Sequence, residues 1–434
     1  MNGQNSNTLN TKPAPPARYR WVMLVFISLA MFGNYYVYDS IAPVADILKS
    51  QLGFTDENIG SLYSVYSIAA IVVLLLGGYI IDRIGTKIST LIFALICAVA
   101  GIVTAVSPDI TVMLFGRVLL GLGAEPLIVA ITTALAKWFK GKELSFAFGI
   151  NLTIARLGSV AADNSPTLAT SLFTNWQDPL WLAAAVGLTC VVGGIAYFWI
   201  ENTAEKKYSL GEAGETEKLV FKDMFKFSKS YWFIVLLCIT FYSAIFPFRS
   251  FAIKFFIEAH GSTREFAGFL NSILPLSAMI ATPLFGLLVD KIGKRALLMM
   301  LGSFLLMPVY LLMAYSNVSL YIPIAMMGIA FSLIPAVMWP SVAYIVDQKK
   351  LGTAYALMTL IQQVGLAGMN WLIGKANDLS NASATNPDGY NTGMWIFSIL
   401  GFLGLLFAIL LRKTETGPKG HGLELSMKER EKPK

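Results

Sequence analysis

Apolar residues in this chain gather into long unbroken runs separated by polar and charged breaks. A helix that crosses the hydrocarbon core of a bilayer needs about 20 mostly apolar residues. Runs of that length predict helices at 20–44, 58–81, 88–107, 110–136, 143–167 and 180–200. A charge-dense stretch follows, and a second set is predicted at 231–257, 265–289, 296–315, 319–346, 352–375 and 391–411. The expected fold is an all-α membrane protein of 12 transmembrane helices in two six-helix bundles, 20–200 and 231–411. Residues 201–230 read as a linker, 412–434 as a C-terminal tail, and 1–19, rich in Asn, Thr and Pro, as a disordered N-terminal tail. The first run lacks a small-residue cleavage site and is longer than a signal-peptide core, so it is expected to persist as a helix.

Composition fits this pattern: 56% of the 434 residues are hydrophobic and 14% are charged, more apolar surface than a water-facing exterior accommodates. The net charge of +7 would suit nucleic acid if it were clustered, but it is distributed by side. Arg18, Arg20, Arg83, Lys87, Lys137, Lys140, Lys142, Lys291, Lys294, Arg295, Lys349, Lys350, Arg412, Lys413 and the linker lysines fall on one side of the expected membrane. Asp46, Asp56, Glu57, Asp109, Asp178, Asp378 and Asp388 fall on the other. Basic loops mark the cytoplasmic side, so both termini are expected in the cytoplasm and nucleic acid drops out as a partner. Cys97, Cys190 and Cys238 lie within apolar runs, and His260 and His421 are far apart, so neither a disulfide nor a metal site is expected. No nucleophile elbow, zinc-binding His pair or phosphate loop occurs, and Gly121-x-Gly123 lies inside a membrane helix without a preceding strand. The chain is not expected to be an enzyme or to hold a cofactor.

The halves repeat each other. Gly78-Tyr-Ile-Ile-Asp82-Arg83-Ile-Gly85 matches Gly286-Leu-Leu-Val-Asp290-Lys291-Ile-Gly293 at an offset of 208, and Thr55-Asp-Glu57 matches Thr263-Arg-Glu265 at the same offset. Each threonine suits a helix N-cap, with an acidic residue in the first turn. Leu144 matches Leu351 and Gly158 matches Gly365 at an offset of 207. Two parallel-related six-helix bundles are the plan of major facilitator transporters, whose site lies between them near mid-membrane. The chain resembles that superfamily in detail: Gly78-xxx-Asp82-Arg83-x-Gly85-x-Lys87 is similar to its loop signature between the second and third helices. Arg117-Val-Leu-Leu-Gly121-Leu-Gly123 is similar to its fourth-helix motif. The loop is expected to act as a latch, with Asp82 capping the eleventh helix near Leu351 in one state only; the bland reading is a tight turn with solvated charges.

A charge in mid-membrane costs roughly 2.5–3.5 kcal/mol, so each needs a reason. Glu125 stands about halfway along the fourth helix and Arg156 about halfway along the fifth, at similar depth. Their repeat mates, Ser332 and Gln363, are neutral, so the charges are confined to one half. Structurally they could close a buried ion pair; functionally they could face a cavity and meet a zwitterionic ligand, Glu125 taking an ammonium and Arg156 a carboxylate. Both hold if the pair opens for ligand. The glutamate after Gly-x-Gly-Ala, with the mid-helix arginine, resembles the lysosomal dipeptide uniporters of the superfamily, and that resemblance implies these two roles at Glu125 and Arg156. Some dipeptide carriers of this kind associate with an accessory membrane subunit; no residue here reports one. The N-terminal tail has no acidic dileucine sorting signal, and a plasma or bacterial inner membrane is the expected location.

Asp39 matches Arg249 at an offset of 210, each late in its helix, so the two could clasp as an outer gate or snorkel independently. Asn34, Tyr35, Tyr38, Tyr63, Tyr66, Tyr242, Phe246, Trp339, Gln362 and Gln363 are further candidates to line the site. Arg117 is rotated away from Glu125 and is expected to brace helices, and Asp163 to lie in the outer vestibule on the Arg156 face. The fifth helix has Gly158-Ser159 where antiporters of the family carry Gly-Pro, which weighs against drug/proton exchange. The expected function is alternating-access uniport of dipeptides. The rival readings are a proton-coupled carrier of organic anions or drugs and a non-transporting receptor or scaffold.

Overall fold

The computed structural model describes residues 12–139, 143–210, 227–418 and 420–426. Among the described residues 12 helical spans are long and apolar enough to cross a membrane, and there is no strand. The N-terminal half holds α1 (Ala17–Asp39), α2 (Asp56–Ile84), α3 (Thr86–Val106), α4 (Ile110–Phe139), α5 (Leu144–Asp163) and α6 (Gln177–Lys207). The C-terminal half holds α7 (Lys229–His260), α8 (Arg264–Ile292), α9 (Arg295–Leu306, resumed at Val309–Tyr315), α10 (Tyr321–Ile345), α11 (Leu351–Leu379) and α12 (Asn391–Glu415). The start of α1, the end of α12 and the basic loops share one end of the molecule, called here the basic end. The loops carrying Asp46, Asp109, Asp178 and Asp388 form the acidic end.

The repeat in sequence is a repeat in backbone. Thr55 caps α2 by accepting from Asn58 N at 3.1 Å, and Thr263 caps α8 by accepting from Phe266 N at 3.3 Å. The same helices end on matched glycines, Gly85 at φ 81° and Gly293 at φ 71°, a conformation that disfavours any residue with a Cβ.

Several boundaries differ from expectation, each for a local reason. The first helix ends at Asp39, because Pro43 supplies no N–H to continue it; a short helix, Ala45–Leu52, follows. Pro308 divides α9 in the same way. The expected linker begins later than residue 201, since α6 continues to Lys207. Glu201 is buried there and accepts from Thr86 Oγ1 at 2.8 Å, Lys137 Nζ at 2.8 Å, Trp138 Nε1 at 2.9 Å and the Tyr197 hydroxyl. The rest of the linker, 211–226, lies outside the described residues, as do 1–11 of the N-terminal tail and 427–434 of the C-terminal tail.

The described parts of both tails are held. Lys12 Nζ donates to Glu205 O at 2.7 Å and Ser209 N to Pro13 O at 3.0 Å. At the other end of the chain, Leu423 is fully buried, and Glu424 Oε1 accepts from Ala296 N at 2.9 Å and Leu297 N at 3.3 Å, capping α9.

At the acidic end the halves are drawn together along α2 and α11. Asp378, from the end of α11, accepts from Asp56 N at 2.9 Å and Glu57 N at 2.7 Å, the free donors of the first turn of α2. Gly60 faces the carbonyl of Asn370 and Gly374 that of Asp56, so closely that a Cβ on either would collide. Lys375 Nζ and Trp371 Nε1 then reach Glu57 at 2.8 and 2.9 Å.

Candidate functional site

Between the halves lies a cavity of about 220 Å³ lined by Asn34, Tyr35, Tyr38, Tyr66, Glu125, Ile128, Arg156, Tyr242, Phe246, Trp339, Thr359, Gln362, Gln363 and Leu366. Glu125 projects from α4 beside Pro126, which removes one backbone hydrogen bond at that turn. Its Oε1 accepts from Tyr66 OH at 3.0 Å and from Gln363 Nε2 at 3.0 Å. Arg156, from α5, lies 5.4 Å from the Tyr35 ring and 5.7 Å from the Phe331 ring. The two charges thus share a cavity, and among the described residues their close partners are neutral groups rather than each other. The structural reading of a closed Glu125–Arg156 pair does not hold in this state: Tyr66 and Gln363 occupy the glutamate, and aromatic faces hold the guanidinium.

The C-terminal wall is aromatic. Trp339 Nε1 donates to Tyr242 OH at 3.0 Å, and Tyr242 stacks on Phe246 at 5.6 Å. Pro335 and Pro340 flank Trp339 within α10, and Pro247 follows Phe246 within α7, so both wall segments sit at helix irregularities. Gln362 also lines the cavity and stands 3.8 Å from Cys238 Sγ.

Tyr63 was expected to line the site and does not. It stands about one turn nearer the acidic end than Tyr66, using ~1.5 Å per residue, and packs 5.1 Å from the Arg117 guanidinium and 5.7 Å from the Tyr38 ring. Arg117, expected to brace helices, makes its hydrogen bonds, among the described residues, within the N-terminal half. It is fully buried and donates to Leu62 O at 3.2 Å, Val37 O at 3.0 Å and Tyr38 O at 3.0 Å, tying α1, α2 and α4 together. Sequence reasoning missed Ile128, Thr359 and Leu366. The signal was present: Ile128 is three residues after Glu125, Thr359 four before Gln363 and Leu366 three after it, the spacing of one helix face.

Toward the acidic end lie buried charges that join the halves. Arg249 Nη1 is 3.4 Å from Asp39 Oδ1, and its Nη2 is 2.8 Å from Asp163 Oδ2. Asn271 Nδ2 donates to Asp163 Oδ1 at 2.7 Å. The expectation for Asp163 was an outer vestibule; it is instead fully buried, because Arg249 and Asn271 close over it. Nearer the end, the fully buried Lys254 meets Asp56 at 3.0 Å, Glu258 at 3.1 Å and the Tyr390 hydroxyl at 2.6 Å. Arg264 clasps Asp46 through two bonds of 2.5 and 2.6 Å.

At the basic end, Gly78 lies within α2, and Asp82 and Arg83 are exposed in its last turn. In the matching loop Asp290 pairs with Arg295 at 2.7 Å, and Lys291 is exposed.

Two repeated six-helix halves with a charged, aromatic-walled cavity between them, and ion pairs joining them toward one end, have the plan of a membrane transporter. The chain belongs to the Major Facilitator Superfamily, whose family model matches residues 27–366 and 248–431. It is 32% identical over 376 residues to the lysosomal dipeptide transporter MFSD1 of Danio rerio, covering 83% of this chain and 81% of that protein. It is likewise 32% identical over 378 residues to the lysosomal dipeptide transporter MFSD1 of Homo sapiens, covering 83% and 80%. A solved structure of a mutant form of the nucleoside transporter NupG superposes with a TM-score of 0.73 at 15% identity, covering 90% of this chain and 99% of that one, which shows the shared fold. The chain is a multi-pass membrane transporter of small molecules and not an enzyme.

Proposed function

We propose that this chain carries dipeptides by alternating access, as a uniporter, with Glu125 holding the amino end of the peptide and Arg156 its carboxyl end. The observation that carries this reading is the pair of opposite charges on one cavity, each resting on neutral neighbours rather than on the other. A zwitterion supplies both missing counter-charges at once, and a planar guanidinium suits a carboxylate through its two parallel donors. The relatives named as dipeptide transporters support the same substrate class.

The transport cycle follows from the closures described above. The Asp39–Arg249–Asp163 bridge is the outer gate and must part for the acidic end to open. The end of α2 from Gly78 through Asp82 and Arg83, with its mate at Asp290 and Lys291, is the latch at the basic end, which the positive-inside rule assigns to the cytoplasm. The expectation of a plasma or bacterial inner membrane finds no support in the names of the MFSD1 relatives, which say lysosomal.

The test is thermal stabilisation of the purified protein by dipeptides, free amino acids, N-acetylated dipeptides and simple carboxylates, repeated on Glu125→Gln and Arg156→Gln. Stabilisation by free dipeptides alone, lost in both variants, is expected. Stabilisation by simple carboxylates that survives in Glu125→Gln would overturn the reading in favour of an organic-anion carrier. Uniport further requires peptide flux in proteoliposomes without accompanying proton movement.

A further inference from the structure

Gln363 holds a polar atom that the site as described leaves unused. Its side chain comes from α11 in the C-terminal half and is only 4% exposed. Nε2 donates across the gap to Glu125 Oε1 at 3.0 Å, while the amide oxygen, Oε1, is buried with no hydrogen-bond partner. A carboxylate only accepts hydrogen bonds, so it obliges the amide to present its NH₂ and turn the carbonyl away. Leaving a buried acceptor unpaired is unfavourable. Tyr66 donates to the same carboxylate oxygen, so both protein donors converge on one side of Glu125.

We infer that Gln363 is a switching acceptor for a primary ammonium: when the ligand's amino group reaches Glu125, the amide turns over and its oxygen accepts one ammonium N–H while Glu125 accepts another. The inference rests on the dipeptide reading above. A half-turn of the amide exchanges donor for acceptor at nearly the same two positions, so the backbone of α11 need not move. In this structure the NH₂ group faces the Glu125 carboxylate. In the loaded site the carbonyl would face the cation, and the orphaned oxygen would gain a charge-assisted partner. Because Glu125 belongs to the N-terminal half and Gln363 to the C-terminal half, the amino group would be shared between them. Gln363 is then a specificity-determining residue: it counts N–H donors on the ligand amine, and Glu125 reads only charge.

The test compares a free dipeptide with its N,N-dimethyl counterpart, which keeps the positive charge but has one N–H to give. Dissociation constants are measured on the purified full-length protein, wild type and Gln363→Leu, with unliganded melting recorded for each. In the wild type the dimethyl peptide is expected to bind about tenfold more weakly, the effect of one hydrogen bond to a charged group. In Gln363→Leu the free peptide is expected to weaken by about the same factor and the dimethyl peptide to change little, so the discrimination collapses. If the leucine variant does not fold, Gln363→Met keeps the length and flexibility of the side chain without the acceptor. A folded variant that retains the wild-type ratio overturns the switching role while leaving the dipeptide reading intact. A wild type that binds no dipeptide at all overturns that reading, and this inference with it.

Discussion

Arg249 stands between two carboxylates, 2.8 Å from Asp163 and 3.4 Å from Asp39, with all three side chains buried. The arginine belongs to the C-terminal half and both acids to the N-terminal half, so the triad crosses the boundary between the halves, which would part there in the proposed cycle. Removing one member of a buried pair strands the other and typically costs about 3–5 kcal/mol. Arg249→Gln is therefore expected to lower the melting temperature and expose the acidic end. The three native cysteines are buried, so a thiol introduced as Ser40→Cys reports that exposure through its labelling rate. Asp39→Asn, at the longer contact, should have the smaller effect. Unchanged labelling in Arg249→Gln would show that the triad does not hold the closure.

Gly60 and Gly374 meet opposing backbone carbonyls without room for a methyl group. Overpacking of this kind typically costs about 1–3 kcal/mol, and here the strain falls on the seam between the halves. Gly374→Leu is expected to bias the protein away from the state with the acidic end closed, seen as faster labelling at Ser40→Cys and slower transport with the fold retained. Wild-type transport in that variant would rule out the close approach as a requirement of the cycle.

Arg156 offers a flat fork of donors, whereas lysine offers a single point charge. Arg156→Lys should weaken dipeptide binding by about tenfold or more, roughly one charge-assisted hydrogen bond, while the unliganded melting temperature stays near wild type. Equal binding by both proteins would mean that the carboxyl end of the ligand is held elsewhere.

Arg117 is expected to behave in the opposite manner. It satisfies three backbone carbonyls on α1 and α2 from a fully buried position. Arg117→Met should cost several kcal/mol of stability, since the carbonyls of Leu62, Val37 and Tyr38 lose the three guanidinium hydrogen bonds that tie α1 and α2 to α4. The affinity of the surviving folded protein for dipeptide should change little, and a selective loss of affinity without loss of stability would place Arg117 in the site after all.

The spans, the repeat and the shared depth of Glu125 and Arg156 were legible in the sequence because each depends on local periodicity or on an offset between matching segments. Pairings between helices were less so. Asp39 could be set against Arg249 by the repeat, but Asp163, the nearer partner at 2.8 Å, has no such relation to it. Lys254, inside the predicted span 231–257, and Asp56, just before the span 58–81, carry no sequence signal that relates them, yet they form a fully buried pair once α7 packs beside the start of α2. Tyr63 and Tyr66 look equivalent on paper; the rotation of α2 sends one to Arg117 and the other to Glu125. The return of residues 420–426 beneath α9 left no periodic trace, because it rests on one buried leucine and a backbone cap.

The confinement of both site charges to the N-terminal half has an electrical consequence. Glu125 and Arg156 cancel, their mates Ser332 and Gln363 carry nothing, and a zwitterion adds no net charge on arrival. With a dipeptide bound as proposed, the loaded and unloaded centres would therefore present the same total charge to the bilayer. Moving one elementary charge through 100 mV is worth about 2.3 kcal/mol, but on this arrangement the swing of the halves displaces none at the site. The direction of net flow would then be set by the concentration of peptide on each side rather than by membrane voltage.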